Sequence, residues 1–144
     1  MLFRSVLASK ARSKSVGLAI ESDKNIPRID GFGGELNQVW ANLIDNAIDA
    51  VATSGLIKVT ATHENDTVVV RIIDDGPGIP PEIRDRVFDP FFTTKPVGAG
   101  TGLGLDIARR LVRRHGGEID IESSPGRTAV IVTLPVTTQD SQGA

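Results

Sequence analysis

Apolar residues recur along this chain at two different periods, and the switch between them marks out its elements. From Glu35 onward, Leu36, Val39, Trp40, Leu43, Ile44, Ala47 and Val51 follow one another at steps of three and four. That spacing places one apolar stripe on a helix. It predicts a helix over 35–53 that stops at Ser54-Gly55, a helix-end signal. The pattern then changes: "LIKVTATH" (56–63) and "TVVVRIID" (67–74) are β-branched runs joined by "END", the mark of a hairpin. "VGLAIES" (16–22) alternates as a strand, and residues 2–12 could form a short helix before it. After "DGPGIPPE", which suits no regular structure, "PEIRDRVFD" opens with Pro and predicts a short helix. "KPVGAGTG" (95–102) predicts a mobile glycine-rich loop. "LGLDIARRLVRRHGG" then predicts a second strong helix, with Ile107, Leu111 and Val112 on one face. Two strands, "EIDIES" and "TAVIVTLP", close the chain around a turn at "SPGR", and "TTQDSQGA" is a polar tail expected to be disordered. This order of elements predicts an α+β domain, an antiparallel-rich sheet with helices on one face.

Composition narrows the function classes. The chain has 144 residues, enough for one domain, with 40% hydrophobic and 24% charged residues. Its formal net charge of −2 gives no global pull towards nucleic acid or an anionic membrane. A phosphate-bearing ligand would have to be held locally. Aromatic content of 4%, without Tyr, argues against base stacking on single strands. The chain has no Cys, which excludes disulfides, thiolate metal sites and a Cys nucleophile. No apolar run approaches the ~18 residues of a membrane span. The first twenty residues contain no acid and several Arg, Lys and Ser, which fits either a mitochondrial presequence or the end of a helix leading in from an upstream segment.

The helix at 35–53 raises a chemical question. Beside its apolar stripe runs a polar one, Glu35, Gln38, Asn42, Asn46 and Asp49. Asn is a mediocre helix former, because its amide competes for backbone hydrogen bonds. Placing it twice on one face suits either a solvated surface or a ligand site. An amide oxygen is a neutral ligand for a hard cation such as Mg²⁺, and the amide nitrogen can donate to phosphate oxygens. "DDGPGIP" (74–80) directly follows a strand. There Asp74 could accept from an exocyclic amine such as that of adenine, or simply cap a tight turn. Gly76 and Gly78 permit close backbone approach. "GAGTGLGL" (98–105) leads into a helix N-terminus, where unpaired N–H groups make an anion site. It is neither a P-loop nor, lacking a preceding strand, a dinucleotide fingerprint. Lys95 is the nearest cation, and Phe88, Phe91 and Phe92 flank the loop as core or as hinge. His115, at a helix end, reads most simply as a cap, and His63 lies at a strand tip.

Taken in order, "NLIDNAIDA", "DDGPGI", "VFDPFFTTK" and "GAGTGLGLDIARRLVRRHGGEIDIES" resemble the N, G1, F and G2 boxes of sensor histidine kinases. The resemblance spans 15–136 and implies membership of the superfamily that also holds gyrase B-type, MutL-type and heat-shock chaperone ATPases. It implies a Bergerat-type ATP-binding fold: a two-layer α/β sandwich whose mixed, mostly antiparallel sheet is covered by helices on one face. It implies ATP and Mg²⁺ as ligands, with Asn46 on Mg²⁺ and Asn42 at the phosphates. Asp74 would meet the adenine amine, with Gly76, Gly78 and Ile79 shaping the pocket. Lys95, Gly98, Gly100, Thr101, Gly102, Leu103 and Gly104 would supply the lid and phosphate contacts, with Asn42 and Lys95 closest to the chemistry. Thr128 would back the adenine site.

The resemblance also implies a catalytic fragment. Neither His sits on a helical dimerisation segment, so the phosphoacceptor would lie elsewhere in the full-length kinase, and a response regulator would act downstream. Residues 1–14 would then end a linker, 15–136 form the catalytic domain and 137–144 a tail, in the cytoplasm and without membrane contact of its own. One departure matters. Hydrolytic relatives carry a Glu four residues before the Mg²⁺ Asn, and here that position is Asn42. A general base is typically worth about 10²–10⁴-fold, so fast hydrolysis is not expected. This favours a histidine kinase over an ATP-gated clamp or chaperone-type ATPase. The intact "FDPFFTTK" favours it over an anti-sigma-type serine kinase.

Overall fold

A computed structural model describes residues 15–22, 33–51, 55–90 and 104–136. Five strands, β1 (Gly17–Ser22), β2 (Leu56–Glu64), β3 (Thr67–Asp74), β4 (Glu118–Ser124) and β5 (Arg127–Pro135), form one sheet in the order β1-β2-β3-β5-β4. Two helices, α1 (Gly33–Ala50) and α2 (Gly104–Arg114), accompany it. Parallel strands need a long crossover, and α1 supplies it between β1 and β2, the parallel pair. The remaining pairs are antiparallel. This is the mixed, mostly antiparallel sheet that the resemblance implied, and the antiparallel-rich α+β layer that the order of elements predicted.

Alternation decides which face is covered. In β3, Val68, Val70 and Ile72 point to the helices and join the core, and β5 answers with Val132 and Leu134 in register. Ile57 of β2 and Ile119 of β4 extend the same surface. Against it α1 lays Leu36, Val39, Leu43, Ile44, Ala47 and Ile48, with Val51 just past its end, and α2 lays Ala108 and Val112. The opposite face carries Arg71 bonded to Thr62 and Glu64, beside a shallow groove of about 610 Å³ reaching Asp120 and Glu122.

Element limits differ from expectation in three places. α1 starts at Gly33 and ends at Ala50, nearly a turn earlier than the apolar pattern suggested. The segment 81–86 is a 3₁₀ turn, since its Pro-rich entry leaves too few residues for α-type bonds. On α2 the buried positions are Asp106, Ala108 and Val112, while Ile107 stays outside the core cluster. Leu105 and Leu111 pack against its edge instead, because they flank Ala108 and Val112 on the helix surface. The expected helix at 2–12 and the tail lie outside the described residues.

The helices are tied to each other and to the chain between them. Arg114 reaches Glu35 at 3.4 Å, and Arg109 stacks 4.6 Å over the Phe88 ring. Phe88 itself packs on the core edge. His115 places Nδ1 2.8 Å from the Leu111 carbonyl, at the end of α2. Among the described residues no helix is long and apolar enough to cross a membrane.

The sheet centre should dominate stability. Ile72, 1% exposed on the middle strand, and Leu56, 58% exposed at the start of β2, make a test pair. Ile72→Ala should cost about 2–5 kcal/mol through lost contacts and a cavity. Leu56→Ala should stay within about 0.5 kcal/mol. Urea unfolding midpoints compare the two directly.

Candidate nucleotide site

At one end of the sheet, the helix-facing row changes from apolar to polar. Ile57, Asp74, Thr128 and Ser123 lie side by side across β2, β3, β5 and β4. Alternation separates the two aspartates of "DDG". Asp75 turns outward and clips β2, its Oδ1 accepting from the Leu56 N–H at 3.0 Å. Asp74 turns inward and is only 5% exposed. Its Oδ1 accepts the Gly76 N–H at 2.9 Å, and Thr128 stands directly opposite it on β5. Burial pushes the Asp74 carboxyl above the ordinary carboxylate range. The Gly76 hydrogen bond partly opposes this, and the neighbouring charge of Asp75 adds to it. A buried acceptor of this kind matches a ligand that brings its own N–H donor.

The loop after β3 is shaped by two close approaches. A Cβ on Gly76 would come within 2.8 Å of the Ala50 carbonyl oxygen, so glycine lets the end of α1 rest on the loop. Gly78 has φ +88°, and a side chain there would run into the Ser124 carbonyl oxygen of β4. Ile79 follows, its N–H donating to Ser123 Oγ at 2.7 Å.

The second cluster lies up the axis of α1. Asn42 Nδ2 donates to the carbonyl of Gly104, the first residue of α2, at 3.4 Å, and Gln38 Nε2 donates to Asn42 Oδ1 at 3.3 Å. A Cβ on Gly104 would lie 3.3 Å from Asn46 Nδ2 and 3.6 Å from its Oδ1. Both amides of "NLIDN" therefore abut the N-terminus of α2, where unpaired N–H groups favour an anion. One turn after Asn46, Ala50 reaches Gly76 beside Asp74. A single helix thus connects a phosphate-suited end to an amine-suited end. Lys95, Gly98, Gly100, Thr101, Gly102 and Leu103 lie outside the described residues.

Three participants escaped the sequence reading. Ser123 is the polar member of the inward series Ile119, Ile121, Ser123, and that break in the alternation was the available signal. Arg84 is half-buried and donates from Nη2 to the Ile79 and Ser123 carbonyls, 3.1 Å each. Nothing in "PEIRDR" distinguishes it from surface charge. Asp106 is buried in the first turn of α2 and pairs with Arg110 at 3.0 Å, complementing the helix dipole. Among the described residues no group of three or more His, Cys, Asp or Glu could hold a metal.

Residues 33–138 match the family model for the histidine kinase-, DNA gyrase B- and HSP90-like ATPase, and the chain belongs to that family. Its kinship within the family is to the kinases. The chain is 36% identical over 141 residues to the sensor histidine kinase ZraS of Escherichia coli (strain K12), covering 96% of this chain and 30% of ZraS. It therefore spans under a third of that relative's length. The nucleotide-free catalytic domain of histidine kinase ThkA superposes with a TM-score of 0.83 at 34% identity, over 93% of this chain and 88% of that one. ThkA has also been solved in complex with the response regulator protein TrrA; that structure matches at a TM-score of 0.80 and 31% identity, covering 95% of this chain and 39% of the other. Full-length ShkA in complex with AMPPNP gives a TM-score of 0.82 at 27% identity, over 93% of this chain and 28% of ShkA.

The raised Asp74 carboxyl has a thermodynamic consequence. Between its unfolded value, near 3.8, and its higher folded value, the native state holds more protons than the unfolded state. Stability therefore falls as pH rises through that window. Asp74→Asn keeps the shape and an acceptor for Gly76 while removing the buried charge. Its melting temperature should exceed that of the wild type at pH 7, and the advantage should vanish at and below about pH 3.8. Calorimetric melts of both proteins from pH 3 to pH 8 check this.

Proposed function

We propose that this chain is the catalytic ATP-binding domain of a sensor histidine kinase. It binds Mg-ATP and donates the γ-phosphate to a histidine on a separate dimerisation segment of the same kinase, with a response regulator downstream. The single observation that carries this reading is the polar end of the sheet: a buried carboxylate beside Thr128, joined through α1 to paired amides at a helix N-terminus. Asp74 and Thr128 take the adenine, Gly76, Gly78 and Ile79 form its floor, and Asn42, Asn46 and Gly104 face the phosphates. Lys95, Gly98, Gly100, Thr101, Gly102 and Leu103 complete the phosphate side. On this reading the domain works in the cytoplasm, where ATP is supplied.

The donor set suits Mg²⁺. The ion prefers one or two protein oxygens together with water and substrate phosphates, and the Asn46 amide lies against the N-terminus of α2, where those phosphates would sit. Bound there, Mg²⁺ would neutralise charge on the phosphate oxygens. In the transfer, an imidazole nitrogen of the acceptor attacks the γ-phosphorus. A nitrogen–phosphorus bond forms, the bond to the bridging oxygen breaks, and ADP leaves. The chain's own part is to fix the adenine and the triphosphate and to offer water no base. Asn42 meets that last requirement, because an amide takes no proton at neutral pH.

Incubation with radiolabelled Mg-ATP and a dimerisation domain bearing the acceptor histidine should place acid-labile, alkali-stable phosphate on that domain. Hydrolysis by the chain alone should be very slow. Asn42→Glu, ionised at pH 7 from a reference pKa near 4.3, should raise hydrolysis modestly and impair transfer. Fast hydrolysis by the unmutated chain with no transfer to histidine would move it to the ATPase class.

A further inference from the structure

We propose that Ser123 and Arg84 are positioning residues that clamp the 77–80 loop to β4 and thereby set the affinity of the adenine end, an inference that rests on the ATP-binding reading above. Ser123 closes the last of the four box segments, where the resemblance gives it no role, and Arg84 lies between the second and the third. Ile79 lies outside every helix and strand, so its backbone polar groups need partners elsewhere. This pair supplies both of them. The Ile79 N–H donates to Ser123 Oγ at 2.7 Å, and the Ile79 carbonyl accepts from Arg84 Nη2 at 3.1 Å. The same Nη2 donates to the Ser123 carbonyl at 3.1 Å, so loop, guanidinium and strand form a closed ring of hydrogen bonds. Arg84 Nε is buried without a partner among the described residues. A guanidinium accepts that cost only where its other contacts hold it in place.

The ring reaches the nucleotide side through Thr128. Ser123 Oγ lies 3.1 Å from Thr128 Oγ1, and Thr128 faces Asp74 across β3 and β5. A hydroxyl offers one proton and two lone pairs. With the Ile79 N–H on one lone pair of Ser123, its single proton has two acceptors, the Arg127 carbonyl at 3.4 Å and Thr128 Oγ1 at 3.1 Å; when it goes to Thr128, the Thr128 proton is free to turn towards the ligand. The remaining backbone bonds of the loop run from the Ile83 N–H to the Pro80 carbonyl at 3.1 Å, within the following 3₁₀ turn, and from the Gly126 N–H to the Pro77 carbonyl at 3.4 Å, so the tie to the β4–β5 side outside the ring is the longer one. Neither side chain belongs to the hydrophobic core. Loosening the ring should therefore move the loop without unfolding the sheet.

Ser123→Thr and Ser123→Val have the same shape and differ only in the hydroxyl. In titration calorimetry, Ser123→Val should bind ATP about 3- to 10-fold more weakly than Ser123→Thr, the loss expected of one hydrogen bond. Adenosine should weaken by the same factor and inorganic tripolyphosphate not at all, because only the adenine end is disturbed. Melting temperatures without nucleotide should agree between the two variants, while the Ile79 amide should exchange faster in Ser123→Val. Arg84→Lys keeps the charge but lacks the fork, and provides an independent arm with the same expected pattern against wild type. Equal ATP affinity of the Thr and Val variants, or equal weakening of adenosine and tripolyphosphate, would overturn the positioning role. A wild-type chain that binds neither ATP nor adenosine would instead overturn the ATP-binding reading on which this rests.

Discussion

Asp74 sits at the end of the middle strand, on the face that every other long strand position uses for hydrophobic burial. An ionised carboxylate in that place is costly, and its raised affinity for a proton records the cost. Local structure relieves only part of it, through the Gly76 N–H. The surrounding architecture follows from holding that group in position. The hydrophobic rows of β2, β3, β5 and β4 fix the register that sets Thr128 beside it. α1, seated on those rows by its apolar stripe, brings Ala50 against Gly76 and carries Asn42 and Asn46 to the start of α2. The candidate site is thus a polar end built onto a sheet whose other inward positions on β3, β4 and β5 are apolar.

The division of labour between stability and function is visible in individual residues. Val68, Val70 and Ile72 stabilise the strand that ends in a destabilising acid. Gly76 and Gly78 give up side-chain packing to let α1 and β4 approach the loop. Asn42 and Asn46 accept a lower helix propensity, up to roughly 0.7 kcal/mol each relative to Ala, for amides that face α2. Each is a local departure from the cheapest choice, and the departures cluster at the two ends of one helix. Clustering of that kind is what a ligand site, rather than a solvated surface, requires.

The sequence made most of the fold legible because its two hydrophobic periods are clean. The stripe from Leu36 to Val51 and the β-branched runs at 56–63 and 67–74 leave little freedom in element type, whereas the place of β5 between β3 and β4 is not legible, because the long connection through α2 fixes no neighbour locally. Limits were less legible. α1 begins two residues before the first charged position of its stripe, since Gly33 and Gly34 carry no apolar signal. The 3₁₀ turn reads like a short helix because Pro is compatible with the first turn of either. Asp74 and the two amides stand out in the sequence by their chemistry, and Thr128 only through the resemblance; the fold sets Thr128 beside Asp74 and both amides against α2. Ser123 and Arg84 could not, because their meaning depends on contacts across 39 and more positions of chain. A serine in a strand and an arginine in a charged turn are ordinary until the fold brings them to Ile79.

In the proposed function the buried Asp74 carboxylate reads the exocyclic amine of adenine, and replacing that amine tests it most directly. Inosine triphosphate carries the same ribose and phosphates but presents an oxygen where ATP presents an amine. Its oxygen would face the carboxylate with no proton between them, leaving a buried acceptor unpaired at a cost of about 1–3 kcal/mol. Titration calorimetry of the chain with both Mg-nucleotides should therefore show ATP binding at least about tenfold more tightly than inosine triphosphate. Equal affinities for the two would contradict the account.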